Sequence, residues 1–530
     1  MSCYLANGEE SCNTPPLLST DFNDNDDDNV NDKLDVKSHG TIKFSQNYCN
    51  KANFVRISTD SNPLQVKRLF ISQNQDQRLT LVISTLGSPK ESFMRSKLFR
   101  IFRESLLNIA QTTDIYMITA GFNSRVAKFY GEISRTNPNP SRPIQLIGIV
   151  SWGCAAGREL LDVQGSEVLY SKLKSDTKSE IPLEPNHTNF IFIDDGTERK
   201  HKCAVQFRGQ FERKIMSDKS TPQSGKIPLI IIVIEGCADA IKKAYRNIVE
   251  DCTPVIFVEG SGGCCDLFAK CYRLYNSYKI KPHSCDPTNE ESVLAEENEK
   301  IKTTIRQSLQ IVDIQLAQTS CTNAPHDGTD FFDLIYECVE KRSQCLNFVD
   351  LRTHSITGDN ITLSILEALF KVNYNNDSTN MTEKQKYEQL NLAYKWKQID
   401  FVKESIMKYD QDWKTIDLKE LFETALLENQ ADFLQLMLDH DFQINDLFEN
   451  NDKLSKLYQN ENFTFTDEIN GPLRAIYREL VQPFIHNLFQ VDGIFDPDDR
   501  PKNSSKKTST KQRNLSSSLL NSIGLLFSIS

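Results

Sequence analysis

Six short apolar runs, each closing on a glycine, punctuate the middle of the chain: Leu79 to Gly87, Ile115 to Gly121, Pro143 to Gly153, Asn189 to Gly196, Pro228 to Gly236 and Thr253 to Gly260. Strands buried on both faces read as continuous apolar runs, and between most of these runs the spacing turns helical. Met94, Leu98, Phe102, Leu106 and Ile109 recur at three and four residue steps across Ser92 to Ala110. Ile241, Ala244, Tyr245 and Ile248 do the same across Ala238 to Glu250, and a further helix is expected over Ser124 to Arg135. Strands alternating with helices predict an α/β domain with an open parallel sheet covered on both faces. Ligands of such sheets bind beyond the carboxyl ends of the strands, where these glycines fall.

The flanks behave differently. Gly40 to Pro63 alternates in Thr41-Ile42-Lys43-Phe44 and in Phe54-Val55-Arg56-Ile57, predicting two short edge strands, whereas Leu161 to Asn186 reads as a polar, irregular loop. Pro282 and Pro287 mark a break, a charged helical stretch follows from Glu290 to Leu316, and the glycine-ended runs stop. Ile361 to Lys371, Leu390 to Lys408, Leu418 to Asn429 and Ala431 to Asp439 keep helical spacing across polar turns, which predicts an all-helical stack of paired helices. Asn373 to Thr382 is a loop without apolar period. The expected organisation is therefore a disordered acidic N-terminus over 1–39, the α/β domain over 40–280, the helical region over 281–490 and a basic, serine-rich disordered tail over 491–530.

Composition narrows the function classes. A net charge of −11 over 530 residues argues against a nucleic-acid partner. No apolar run approaches the ~20 residues of a membrane span, and Met1 to Gly8 does not read as a signal peptide. The 14 cysteines hold no CxxC pair and lack ligand histidines at finger spacing, so they read as reduced, mostly buried thiols and no metal site is expected.

The candidate chemistry lies in the run from Thr253 to Ala269, where a strand passes through Gly260-Ser261-Gly262-Gly263 into a helix. Free N–H groups and the positive end of the helix dipole make such a turn suited to an anion, although the spacing is neither the dinucleotide fingerprint nor a P-loop.

Several stretches together resemble the cytosolic N-terminal half of the melastatin-type transient receptor potential (TRPM) cation channels. They are Ala52 to Asp60, the turn Ile118-Thr119-Ala120-Gly121-Phe122-Asn123-Ser124-Arg125-Val126, the segment Leu183 to Thr197, Glu235-Gly236 and Glu259-Gly260-Ser261-Gly262, with Ile361 to Lys371, Leu390 to Trp396 and Ala425 to Asn429 in the helical part. The resemblance covers roughly Gly40 to Asn460. It implies a Rossmann-like parallel-sheet domain of the SLOG type followed by an all-α ankyrin-like repeat domain. It also implies assembly with channel subunits as a homo- or hetero-tetramer on the cytoplasmic side of a membrane, the plasma membrane for a full channel. In some members the α/β domain binds ADP-ribose or related nucleotides, which makes ADP-ribose or an adenine nucleotide the expected regulatory ligand, with no cofactor required. Carried onto this chain, the candidate ligand-binding residues are Thr85, Gly87, Thr119, Gly121, Asn123, Gly236, Gly260, Ser261 and Gly262. Backbone N–H groups at 261–263 would hold a phosphate, with Thr85 or Thr119 hydrogen-bonding it.

Two departures accompany the match. Thr85-Leu86-Gly87-Ser88 lacks the paired glycines usual after the first strand, and Ala120 and Arg125 stand where glycines are common, which would block or retune a nucleotide site. The six channel-forming helices of the family are absent from this stretch of chain, so the expected role is ligand sensing and subunit assembly, supporting calcium or other cation transport only within a full channel. One alternative is a free-standing SLOG-type enzyme acting on nucleotides or ADP-ribose. The turn lacks the Gly-Thr and nearby glutamate of that chemistry, Glu132 coming later and Glu235 and Glu259 ending strands, so no catalytic residue is assigned. The other alternative is a soluble interaction protein that modulates channel subunits. His187, without a nucleophile beside it, reads as a structural hydrogen-bonder.

Overall fold

A computed structural model describes residues 34–44, 51–71, 79–87, 96–137, 143–171, 180–198, 200, 202–217, 227–279, 298–309, 330–353, 357–374, 383–407, 413, 416–428, 430–440 and 442. Of the expected terminal tails, residues 1–33 and 491–530 lie outside these residues. The contacts divide the chain into two units, Met1–Ser378 and Thr379–Ser530.

Ten strands build the first unit: β1 (Val36–Phe44), β2 (Lys51–Ser58), β3 (Leu79–Gly87), β4 (Thr113–Thr119), β5 (Gln145–Ser151), β6 (Gln164–Tyr170), β7 (Asn189–Asp194), β8 (Leu229–Ile234), β9 (Val255–Glu259) and β10 (Leu346–Asp350). They form one sheet in the order β10-β9-β8-β3-β4-β5-β7-β2-β1-β6. From β10 to β2 the neighbours run parallel; β1 then pairs antiparallel with β2, and β6 pairs parallel with β1. The six glycine-ended runs are β3, β4, β5, β7, β8 and β9, the contiguous middle of the sheet. Their uninterrupted apolar sequence follows from that position, since the middle strands are covered on both faces.

The helices are α1 (Pro63–Phe70), α2 (Ser96–Ala110), α3 (Arg125–Arg135), α4 (Lys202–Ser217), α5 (Ala238–Tyr245) with a π turn over Arg246–Glu250, and α6 (Gly263–Lys279). α7, described over 298–309, then α8 (Phe331–Arg342) and α9 (Gly358–Tyr374) complete the unit. On one face Val82, Tyr116, Ile118, Ile149 and Ile191 pack against Phe70 of α1 and Phe207, Phe211 and Ile215 of α4. Further along, Ile231, Val233, Val255 and Phe257 meet Ile241 and Ile248 of α5, Phe268 of α6, Leu309 of α7 and Phe332 and Ile335 of α8. Strand alternation turns Leu81, Ile83, Ile115 and Met117, all buried, to the other face, where α2, α3 and α9 pack.

The structure differs from the expectations at three places. β6 lies inside the stretch read as an irregular loop; it is an edge strand with most residues exposed, so little apolar pattern marks it. The α/β unit continues beyond residue 280, because β10 adds to β9 in parallel register with Leu346 opposite Val255, and α8 and α9 cover it. β10 ends on Asp350 rather than on a glycine, the signal used for the other strands. At the front, β1 begins at Val36, inside the stretch expected to be disordered to residue 39.

The described part of the second unit holds only helical elements: α10 (Glu383–Lys395), the short α11 (Ile399–Phe401) with its π turn Val402–Ile406, α12 (Lys419–Leu427) and α13 (Ala431–Asp439). α12 and α13 pair, and Tyr394 ties α10 to this pair through an edge-on ring contact with Phe433 and a 2.8 Å hydrogen bond to Glu428 Oε2.

Candidate functional site

The strand order reverses beside β3. From β3 the chain moves outward through β4 and β5 to β7, then returns to place β8 on the other side of β3 and continues outward to β9 and β10. Where neighbouring connections depart in opposite directions, the carboxyl ends of the two strands open into a crevice. Three turns surround it here, those from β4 to α3, from β8 to α5 and from β9 to α6.

Close backbone packing draws these turns together. Gly87, the last residue of β3, sits against the Val126 side chain, which brings the first turn of α3 over the β3 end. Gly236 has φ +79°, and a Cβ there would overlap Cys264 Sγ, so the first turn of α6 presses directly on the end of β8. The N–H groups of Cys264 and Cys265 confirm that seat by donating to the carbonyls of Gly236 (3.1 Å) and Glu235 (3.2 Å).

All nine predicted residues lie at these strand ends, but the hydroxyls are occupied. Thr85 Oγ1 donates to the Ile118 carbonyl at 3.1 Å. Thr119 Oγ1 lies 2.6 Å from His187 Nε2 and accepts from the Gly121 N–H at 2.8 Å. Ser261 Oγ donates to the Val258 carbonyl (2.6 Å) and accepts from the Glu235 N–H (2.8 Å). The Ser261 N–H is also spent, on Val258 O at 3.2 Å, and the Gly260 N–H donates to Asp266 Oδ1 at 2.6 Å. Gly121 turns at φ +71°, Gly260 at +84° and Gly262 at +98°. Asn123 donates its N–H to Pro182 O, while its buried Oδ1 has no hydrogen-bond partner among the described residues.

Two charged residues remain available. Glu235, between β8 and Gly236, holds φ +62°, a conformation that non-glycine residues rarely adopt and that concentrates at functional sites. Its half-buried carboxyl is pushed above its ordinary value by desolvation, partly offset by the Arg125 guanidinium. Arg125 opens α3, and neither side chain makes a hydrogen bond or ion pair among the described residues.

Comparison with known proteins agrees with this layout. A family model described as SLOG in TRPM matches residues 52–316, and one described as TRPM2-like domain matches 405–470. This chain belongs to the SLOG-in-TRPM family. It is 27% identical over 456 residues to the human transient receptor potential cation channel subfamily M member 6, covering 85% of this chain and 20% of that protein. It is 26% identical over 446 residues to subfamily M member-like 2 of Nematostella vectensis (81% and 26%), and 26% identical over 437 residues to subfamily M member 2 of Rattus norvegicus (81% and 27%). The chain thus spans between 20% and 27% of the length of these relatives. Among the described residues no helix is long and apolar enough to cross a membrane.

Beneath the SLOG crevice lies a buried polar cluster that the sequence did not announce. Arg208 of α4 donates through Nη2 to Ser84 Oγ (2.6 Å) and to the carbonyls of Thr85 (2.8 Å) and Ile118 (3.0 Å), and through Nε to Glu212 Oε1 (2.8 Å). Glu212 also bonds Ser84 Oγ. Desolvation pushes the Glu212 carboxyl up, but Lys243, Arg208 and Ser84 together outweigh it and hold it below its ordinary value. Desolvation, aided by Arg208, brings Lys243 down to about 7. The only sequence signal was a pair of charges at i, i+4 on a helix whose neighbours Phe207 and Phe211 are buried.

The remaining polar candidates serve the SLOG scaffold. His187, fully buried, joins Thr119 to Glu184 through Nδ1 at 2.7 Å to Oε2 and stacks on Phe190, the structural role expected of it. Glu259 is buried and ion-paired with Arg273 and Arg352, and Glu132 stands exposed on α3. A groove of about 370 Å³ lies between the outer faces of α4 and the π turn, lined by Gln206, Gln210, Arg213, Arg246 and Glu250, and none of the nine predicted residues lines it. The described cysteines are free thiols, buried except for Cys252, and no described group of His, Cys, Asp and Glu is arranged to hold a metal ion.

Proposed function

We propose that this chain is a ligand-sensing and subunit-assembly region of a TRPM-type cation channel, and that the ligand, ADP-ribose or an adenine nucleotide, binds at the strand-order reversal beside β3. The observation that carries the reading is the convergence of three strand-to-helix turns at that reversal, with an arginine and a glutamate on their rim that have no partner among the described residues, in a SLOG domain. The anionic part of the ligand would meet Arg125 and the positive end of the α6 dipole. Subunit assembly is read as a further role of the α/β domain, the helices of the second unit are read as ankyrin-like repeats, and cation transport belongs to the assembled channel on the cytoplasmic side of whose membrane this region would lie. Enzymatic turnover is not part of the proposal: Glu259 is engaged by two arginines and Glu132 lies on the outer side of α3. Titration calorimetry of the full chain with ADP-ribose and with adenine nucleotides tests the ligand claim. Saturable heat below millimolar ligand is expected, and no heat at millimolar concentrations of either would end it.

A further inference from the structure

Glu235 is held in an unfavourable backbone conformation by three neighbours at once. Its N–H donates to Ser261 Oγ at 2.8 Å, its carbonyl accepts from the Cys265 N–H at 3.2 Å, and the next carbonyl, of Gly236, accepts from the Cys264 N–H at 3.1 Å. Glycine would satisfy the same three bonds without strain. The side chain is therefore unexplained by the fold that holds it. What it adds is a half-buried carboxylate with no hydrogen bond or ion pair among the described residues, at the end of the strand that flanks the reversal.

Arg125 opens α3 at the neighbouring strand end. The packing of Val126 on Gly87 fixes the first turn of α3 over the end of β3, the strand next to β8, and the guanidinium acts on the Glu235 carboxyl without closing an ion pair with it. Two opposite charges at neighbouring strand ends, with no ion pair between them among the described residues, each keep bonding capacity for a shared ligand. The Thr85 and Ser261 hydroxyl protons are spent on backbone carbonyls, so neither hydroxyl can donate to a ligand.

We infer that Arg125 and Glu235 are a specificity-determining pair, Arg125 taking the anionic group of the ligand and Glu235 accepting hydrogen bonds from neighbouring hydroxyls, so that a sugar phosphate is admitted and a bare polyanion is rejected. The inference rests on the reading that this crevice binds a nucleotide-type ligand. Each partner acts through ordinary chemistry: a guanidinium offers a planar fork to phosphate, and a carboxylate accepts from a diol while repelling a second anion. A hydrogen bond to a charged group is worth about tenfold or more in an equilibrium constant.

The test measures the dissociation constants of ADP-ribose and of inorganic pyrophosphate by calorimetry on the full chain, in wild type, Glu235→Gly and Arg125→Gly. In wild type, pyrophosphate should bind at least tenfold more weakly than ADP-ribose. Glu235→Gly should weaken ADP-ribose and strengthen pyrophosphate, lowering that ratio at least tenfold, with a thermal midpoint at or above wild type because the strained position is relieved. Arg125→Gly should weaken both ligands. A ratio within about threefold of wild type in Glu235→Gly would overturn the pair's role while leaving the crevice as a binding site. No ADP-ribose binding in wild type would overturn the proposed site and the pair together.

Discussion

Replacing Arg208 with Met is expected to destabilise the first unit severely. The Arg208 side chain is 6% exposed and that of Glu212 is 2% exposed, so neither lost partner can be replaced by bulk water. Four hydrogen bonds end on this guanidinium: one to a carboxylate, one to a hydroxyl and two to the carbonyls of Thr85 and Ile118. The Ile118 carbonyl keeps its bond from Thr85 Oγ1, and Glu212 keeps Ser84, so the loss is less than the sum of four. Removing one member of a buried ion pair costs about 3–5 kcal/mol, chiefly because the other charge is left without its partner. A value of about 4 kcal/mol is a large part of the ~5–15 kcal/mol that holds a domain folded. Replacing both partners, as Arg208→Met with Glu212→Leu, should recover at least half of that loss, since a well-packed apolar pair carries no desolvation penalty.

Urea-dependent hydrogen exchange read by mass spectrometry on peptides from β3 and β4 reports this unit separately from the helical one. The sign with pH follows from Glu212: its folded pKa lies below its unfolded one, so its stabilisation is present above the unfolded value and is lost as pH falls through the lower folded value. Wild type should therefore lose stability in that acid range, and the double variant should lose less. A single variant within about 1 kcal/mol of wild type, or a double variant no more stable than the single one, would refute the argument that this pair supports the strand ends.

Two further outcomes follow from the same geometry. Gly236→Ala should cost about 2–4 kcal/mol, from a left-handed backbone plus overlap with Cys264 Sγ, whereas Gly196→Ala, at φ +73° with open space around it, should cost only the backbone part, about 1–2 kcal/mol; equal losses in urea midpoint would show that the Gly236 contact is unimportant. Lys243, at about 7 when folded and ~10.4 when unfolded, penalises the folded state fully below pH 7, so stability should rise between pH 7 and 9 and this rise should vanish in Lys243→Met; a wild-type profile that is flat or falling there would contradict the assignment.

Much of the sheet was legible because its central strands are buried on both faces and have no polar choice. Burial leaves Leu229–Ile234 as an unbroken row of aliphatic residues, and the turn that follows needs a glycine for contact reasons. β6 lacked that signal, since a strand at the sheet edge can keep Gln164, Gly165, Ser166 and Glu167 exposed. α4 carries a core row at Cys203, Phe207, Phe211 and Ile215, but Arg208 and Glu212 also turn inward and spoil the amphipathic pattern by which a helix is recognised. The positions of the site residues could be read, but their availability could not. Thr85 spends its hydroxyl on a carbonyl 33 residues away, and Thr119 spends its own on a histidine 68 residues away.

That distinction bears on how the crevice could work. The hydroxyls at its base cross-link strands: Thr85 joins β3 to β4, Ser261 joins the β9 turn to the β8 turn, and Thr119 with His187 and Glu184 joins β4 to the segment entering β7. A base tied in this way is stiff and has spent the Thr85 and Ser261 hydroxyl protons, so it fixes positions and leaves charge recognition to the rim. The rim is the reverse. Arg125 and Glu235 have charge, partial burial and no partners among the described residues, and the strain at Glu235 is borne by the stiff base below it. Loss of a base hydroxyl should therefore appear first as lost stability, and loss of a rim charge as altered binding. A fold that separates these two jobs can change its ligand by substitution on the rim, as at Arg125, without disturbing the cross-links that hold the strand ends in place.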